Sequence, residues 1–249
     1  MDEQYPVQTT AMTMMIVEEL LNRQKAGVTE LARELNLSKG AIHNHLQTLQ
    51  QLDFVVQEGR EYRVGSRFLN VASRARAALP AYQAARSEVS RLARSSGEVA
   101  ALVIEEHGTA TYILVRGSET DETDIQEGTR RPLYADAAGR AILAHQPEED
   151  IKSRLMNDRR PPEDSGIPSD KTALINKLRT VREQSVAFDR EERADGTKSV
   201  AAPLTTDEEH AVGAVCVTGP ADRMTGKRLE EDITGLVVSS ASSISVDLF

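Results

Sequence analysis

A chain of 249 residues has room for two domains, each able to bury its own core. Its single cysteine, Cys216, excludes an intramolecular disulfide framework, and no apolar run is long enough to span a bilayer. The formal net charge of −9 repels a polyanion, so any contact with nucleic acid has to come from local placement of basic residues.

That repulsion is uneven. Residues 1–75 carry 8 basic and 9 acidic side chains, whereas the remainder carries 22 and 30. With 7 lysines against 23 arginines and an excess of carboxylates, the balance resembles that of proteins from salt-loving archaea. The Met1-Asp2-Glu3 start is not that of a signal peptide, and a cytoplasmic location is expected.

The first predicted element is a helix over residues 10–24, with Met12, Met15, Ile16 and Leu20 at helical spacing. A methionine stripe of this kind reads as core, because Met fills irregular gaps. A short helix capped by Thr29 follows, with Leu31, Ala32 and Leu35 as its apolar face. Asn36-Leu37-Ser38 turns the chain, and Ser38 caps a second helix. Leu37 and Ile42 have the spacing that pins a helix entry, and Ile42, Leu46 and Leu49 form the core stripe.

The opposite side of that second helix carries Gly40, Asn44, Gln47 and Gln51, with His43 flanking it. This face holds no carboxylate. Asn and Gln make bidentate contacts with adenine in a major groove, and glycine permits close approach. Ser38, Lys39 and the amides of the helix start suit a phosphate. Next comes a hairpin: Phe54-Val55-Val56, a turn at Glu58-Gly59, then Arg60-Glu61-Tyr62-Arg63-Val64. Arg60 and Arg63 are placed to reach a DNA backbone, with Arg67 a further basic residue beyond them. Helix, turn, helix and hairpin make a winged helix-turn-helix over residues 1–64.

Residues 65–79 form a linker that reads as helical, since it has no Ser/Gly tract. Pro80 interrupts it, and another helix runs to Ser96 before Gly97. From Glu98 the period changes to that of strands, with a hairpin turning at Glu106-His107-Gly108. Helices are predicted at 137–145, from Pro147, from 169 or 170 to 183, and from Thr225 to the end. Arg159-Arg160-Pro161-Pro162 is a loop between two of them, and Glu119 to Asp124 a solvated one. Strands are predicted at 198–204 and 212–218. The expected fold class is α+β, an antiparallel sheet covered by helices in residues 80–249.

No catalytic, metal or cofactor site is apparent. Cys216, flanked by Val215 and Val217, suits a small buried residue, since a nucleophile needs a positioned base. His43 and His45 point about 200° apart on their helix and cannot share a metal. Asp189, Glu191 and Glu192 read as an acidic loop with one inward residue, and an enzyme is not expected.

Three stretches together resemble the IclR family of transcription regulators over nearly the whole chain. They are Leu37 to Leu46; Gly128 with Pro132 to Ala144; and Ala187 to Glu192 with Gly196, Val200 to Pro203, and Val212 to Pro220. The resemblance implies a winged helix joined to a GAF-like domain that binds an effector, acting as a homodimer or dimer of dimers on palindromic double-stranded DNA. Either repression or activation is compatible with it. The implied effector pocket comprises the backbone of Ala137 and Ala138, Asp189, Thr197, Ser199, Cys216 and Thr218. Such a pocket suits a small polar metabolite, an organic acid or sugar acid. Asp136 departs from the family's small neutral or hydroxyl residue; pointing inward, its charge opposes a carboxylate and favours a neutral sugar or no ligand. The alternative is a constitutive, architectural DNA-binding protein whose C-terminal domain serves only assembly.

Overall fold

The computed structural model describes residues 5–117, 123–151, 171–192, 196–206 and 210–249. The chain forms two compact units, Met1–Arg76 and Ala77–Phe249.

In the first unit, α1 (Gln8–Arg23) supplies Ile16, Val17 and Leu20 to the core. Met12 and Met15 are only partly buried, so the stripe is narrower than its methionines suggest. A two-residue strand, β1 (Ala26–Gly27), then leads into α2 (Val28–Glu34). Thr29 lies inside this helix rather than capping it. The carboxylate of Glu30 reaches back 3.0 Å to accept from the Gly27 amide, which fixes the N-cap at Gly27, two residues earlier. Asn36 takes a left-handed conformation at the turn (φ 53°), and α3 (Lys39–Gln51) begins at Ser38, whose hydroxyl accepts from Ala41 N at 3.1 Å. Ile42 and Leu46 are fully buried, and Leu37 packs beside them.

The wing is β2 (Val55–Glu58) and β3 (Glu61–Val64), turning at Gly59 (φ 66°), with β1 added antiparallel on the far side of β3. Gly65 follows. A Cβ there would lie 2.8 Å from Asp53 O, so only glycine lets the chain leave the wing against the end of α3. The helix α4 (Arg67–Ala77) comes next, and none of its residues is buried.

The second unit is a six-stranded antiparallel sheet, ordered β6-β5-β4-β9-β8-β7, with helices on both faces. Its strands are β4 (Val99–Glu106), β5 (Thr109–Arg116), β6 (Arg130–Pro132), β7 (Ala187–Arg190), β8 (Thr197–Thr205) and β9 (Ala211–Pro220). One face packs on α5 (Pro80–Ser96), a π-helical turn (Arg228–Ile233) and α8 (Thr234–Leu248), through Val89, Leu92, Leu102, Val215, Val237 and Ile244. The other packs on α6 (Ala137–Ala144) and α7 (Lys171–Gln184). Residues 148–151 are also helical, while the predicted loop at 159–162 and most of that at 119–124 lie outside the described residues.

Alternation decides which side chains share a face. On β8 and β9, Ala201 and Cys216 face α6 while Val200 and Val217 face α5 and α8. The register breaks once in β5: Leu102 pairs with Leu114 but Val103 with Tyr112, leaving Ile113 as an extra residue. This bulge turns Tyr112 onto the α6 face, where strict alternation from Leu114 would have put it on the other. At the far end, Glu98 is 1% exposed and joined to Arg223 (2.6 Å) and Arg228 (2.8 Å), which ties the start of the sheet to the segment preceding α8.

Candidate nucleic-acid interface and ligand site

In the first unit the core stripe of α3 fixes what its other face presents. With Ile42, Leu46 and Leu49 inward, Lys39, Gly40, His43, Asn44, Gln47, Thr48, Gln50 and Gln51 are exposed. No atom lies within 4 Å of a Cβ built on Gly40, so this part of the helix surface is open. Asn44 uses its backbone carbonyl to accept from Thr48 Oγ1 (2.9 Å), leaving its amide group on the surface. His45 is different: its Nδ1 lies 2.8 Å from Thr13 Oγ1, fastening α3 to α1.

The wing arginines divide. Arg60 is exposed beside the turn, whereas Arg63 donates from Nε to Glu58 across the hairpin at 2.6 Å. That contact holds the Glu58 carboxyl below the usual carboxylate range. Arg67 is exposed but engaged by the fold. It donates to the Leu52 carbonyl at 2.7 Å and stacks over Phe54, whose ring lies 4.7 Å from that of Phe68. It therefore caps the end of α3 and holds the start of α4.

In the second unit the implied pocket residues fall on one sheet face. Asp189, Ser199 and Thr218 pair in register across β7, β8 and β9, with Thr197 two residues from Ser199 and so on the same side. The next row is Ala187, Ala201, Cys216 and Ala101, all small. Ala137 and Ala138 open α6 over this face. Six of the seven residues are buried and Thr197 is partly exposed. Cavities of about 210 and 340 Å³ lie elsewhere in the unit, one lined by Ala144, Ile151 and Leu178, the other by His145, Pro203 and Ser242.

The hydrogen bonds show how the site is built. Ser199 and Thr218 share a 2.8 Å bond between hydroxyls, and Asp189 Oδ1 accepts from Glu192 N at 2.9 Å. Asp136 points inward and is 2% exposed. It is the N-cap of α6: Oδ1 accepts from Gly139 N at 2.8 Å, and Oδ2 accepts from Tyr112 OH at 2.7 Å, with Arg131 Nη1 at 3.6 Å. So the site holds two buried carboxylates where one was expected, and one helix-end amide already has an acceptor.

Three residues here escaped the sequence reading. Tyr112 reaches the site only through the bulge. Arg131 lies over its ring at 5.7 Å and pairs with Asp124 at 2.7 Å. Arg140, fully buried, donates to Phe188 O at 2.8 Å and pairs with Glu192 at 3.1 Å, latching α6 to β7 and the turn after it. Burial, followed by the nearby Asp136 charge, pushes the Tyr112 hydroxyl well up. The same two causes push up the Cys216 thiol.

Comparison with known proteins agrees with this division. A family model described as the IclR helix-turn-helix domain matches residues 13–59, and one described as "Bacterial transcriptional regulator IclR C-terminal" matches residues 75–246. A Halobacterium salinarum protein named "Probable HTH-type transcriptional regulator ArcR" is 32% identical over 94% of this chain and 90% of its own length. The glycerol operon regulatory protein of Streptomyces griseus is 31% identical over 90% and 89%. In fold, the chain superposes on the Thermotoga maritima IclR crystal structure with a TM-score of 0.80 at 22% identity, covering 97% of each chain. An IclR homologue from Microbacterium hydrocarbonoxydans, solved with 4-hydroxybenzoate, also gives 0.80, at 18% identity and 96% and 98% coverage.

Proposed function

The chain belongs to the IclR family of transcription regulators, and on that premise we propose that it reads a palindromic operator as a homodimer or dimer of dimers under the control of a small polar metabolite. The cell's cytoplasm is its proposed setting. The observation that carries the DNA reading is the exposed face of α3: Asn44 and Gln47 stand clear of the core beside an open Gly40, with no carboxylate among them. Ser38, Lys39 and the wing's Arg60 and Arg63 flank that face and supply phosphate contacts; His43 stands at its edge. Half-sites separated by about one helical turn, ~34 Å, or a multiple of it suit a two-fold dimer.

The metabolite is assigned to the α6 face of the sheet, over Asp189, Thr197, Ser199, Cys216 and Thr218, at the start of α6 where Ala137 and Ala138 lie. It acts only through its difference in affinity between the states of the protein that bind the operator well and poorly. Mapping occupancy on the cell's own genome tests this. Discrete sites sharing an inverted repeat are expected, with occupancy that changes between carbon sources. Diffuse occupancy, or occupancy indifferent to nutrient, would instead support a constitutive architectural protein.

A further inference from the structure

We propose that the metabolite taken by the α6 site is an uncharged, polyhydroxylated molecule, a polyol or neutral sugar, and not an organic or sugar acid; this rests on the ligand-controlled reading above. A helix N-terminus ordinarily favours an anion. Here the protein supplies its own. Asp136 is buried at the start of α6, held by the Gly139 amide and the Tyr112 hydroxyl. A second buried carboxylate, Asp189, stands on the same sheet face beside the Ser199 and Thr218 hydroxyls.

The cations at this end of the site each already sit on a protein carboxylate, although Arg131 Nη1 and Arg140 Nε are buried without a hydrogen bond. Arg131 is on Asp124 at 2.7 Å, while Arg140 and Lys177 are both on Glu192, at 3.1 and 2.5 Å. A ligand carboxylate would therefore enter a desolvated region holding two carboxylates, with each of these cations on a protein carboxylate.

A hydroxyl meets the opposite situation. Arg131 Nη1 is buried, lies 3.6 Å from Asp136 Oδ2 and makes no hydrogen bond. An oxygen serving both groups has to accept from the guanidinium and donate to the carboxylate. A hydroxyl does both; an ionised carboxylate cannot donate. Hydroxyl-to-carboxylate bonds are also charge-assisted, and the Ser199–Thr218 pair adds neutral partners of either sense.

The test uses the full-length protein and the small-molecule pool of its own cells, split by anion exchange into unretained and retained fractions. Each is scored for the shift in thermal midpoint and in operator affinity, alongside three matched pairs: glycerol and glycerate, xylose and xylonate, glucose and gluconate. Activity in the unretained fraction is expected, and within any pair that binds, the neutral member should bind at least about tenfold more tightly. Asp136→Asn, which keeps an N-cap acceptor, should narrow that ratio by about tenfold or more. Activity confined to the retained fraction, or an acid preferred over its neutral partner, overturns the charge assignment and leaves the ligand-controlled reading intact. Activity in neither fraction overturns both.

Discussion

Residues of the proposed DNA-binding surface differ in how cleanly they report on DNA. Ser38 accepts from Ala41 N, so removing its hydroxyl costs about 1 kcal/mol of fold stability before any phosphate is considered. Arg63 has to leave Glu58 to reach a phosphate, and replacing it changes the wing as well as the contact. Asn44 is free of both complications: its side chain is exposed, and the core beneath belongs to Ile42, Leu46 and Leu49. Asn44→Ala is expected to leave the thermal midpoint unchanged and to weaken operator binding by about 1–3 kcal/mol, with one base position relaxed. Fluorescence anisotropy on operator and scrambled duplexes checks this. An equal loss on both would reassign Asn44 from reading a base to holding the backbone.

Among the elements, α6 is the one on which the proposed ligand site depends, and the packing explains its composition. Ala137, Ala138, Ala141 and Ala144 let the helix settle onto the small row of Ala187, Ala201, Cys216 and Ala101. A Cβ on Gly139 would lie 2.4 Å from Leu133 O, so the turn into the helix is equally tight. Arg140 then locks α6 to β7 from inside the core. Arg140→Ala leaves Phe188 O and Glu192 without that partner, and a loss of about 3–5 kcal/mol is expected, read as a lower denaturant midpoint. A loss under about 1 kcal/mol would mean that Lys177 alone satisfies Glu192.

Much of this element order was legible beforehand, because Ser38, Pro80, Gly97 and the His107-Gly108 turn punctuate the chain by local chemistry. What was not legible depends on partners distant in sequence. Alternation alone puts Tyr112 on the wrong face, and only pairing with β4 exposes the bulge at Ile113. Glu30 outcompetes Thr29 at the start of α2 by reaching back to Gly27. β6 and β7 are too short to announce themselves without neighbours. The inward turn of Asp136 could be posed from the sequence only as a question.

At the scale of the whole molecule the difficulty is charge. A chain with a net charge of −9 approaches DNA against its own field, doubly so in the proposed dimer, and the strongly acidic part lies beyond the first 75 residues. Within the DNA-binding unit the proposed phosphate contacts are few: Lys39, Arg60 and, once released from Glu58, Arg63. Two copies then neutralise about four to six phosphates, so the plot of log affinity against log salt concentration should have a slope of roughly −4 to −5. Titrating operator binding against KCl measures it. A slope steeper than about −8 would require basic residues that this account leaves out. Glu58→Gln should move the slope toward the steeper limit, because it frees Arg63 without adding a cation. With so small a share of affinity resting on counterion release, the amide face of Asn44 and Gln47 has to hold the operator as salt rises. Asn44→Ala should therefore cost as much of the remaining affinity in high salt as in low, while loss of Arg60 should matter progressively less.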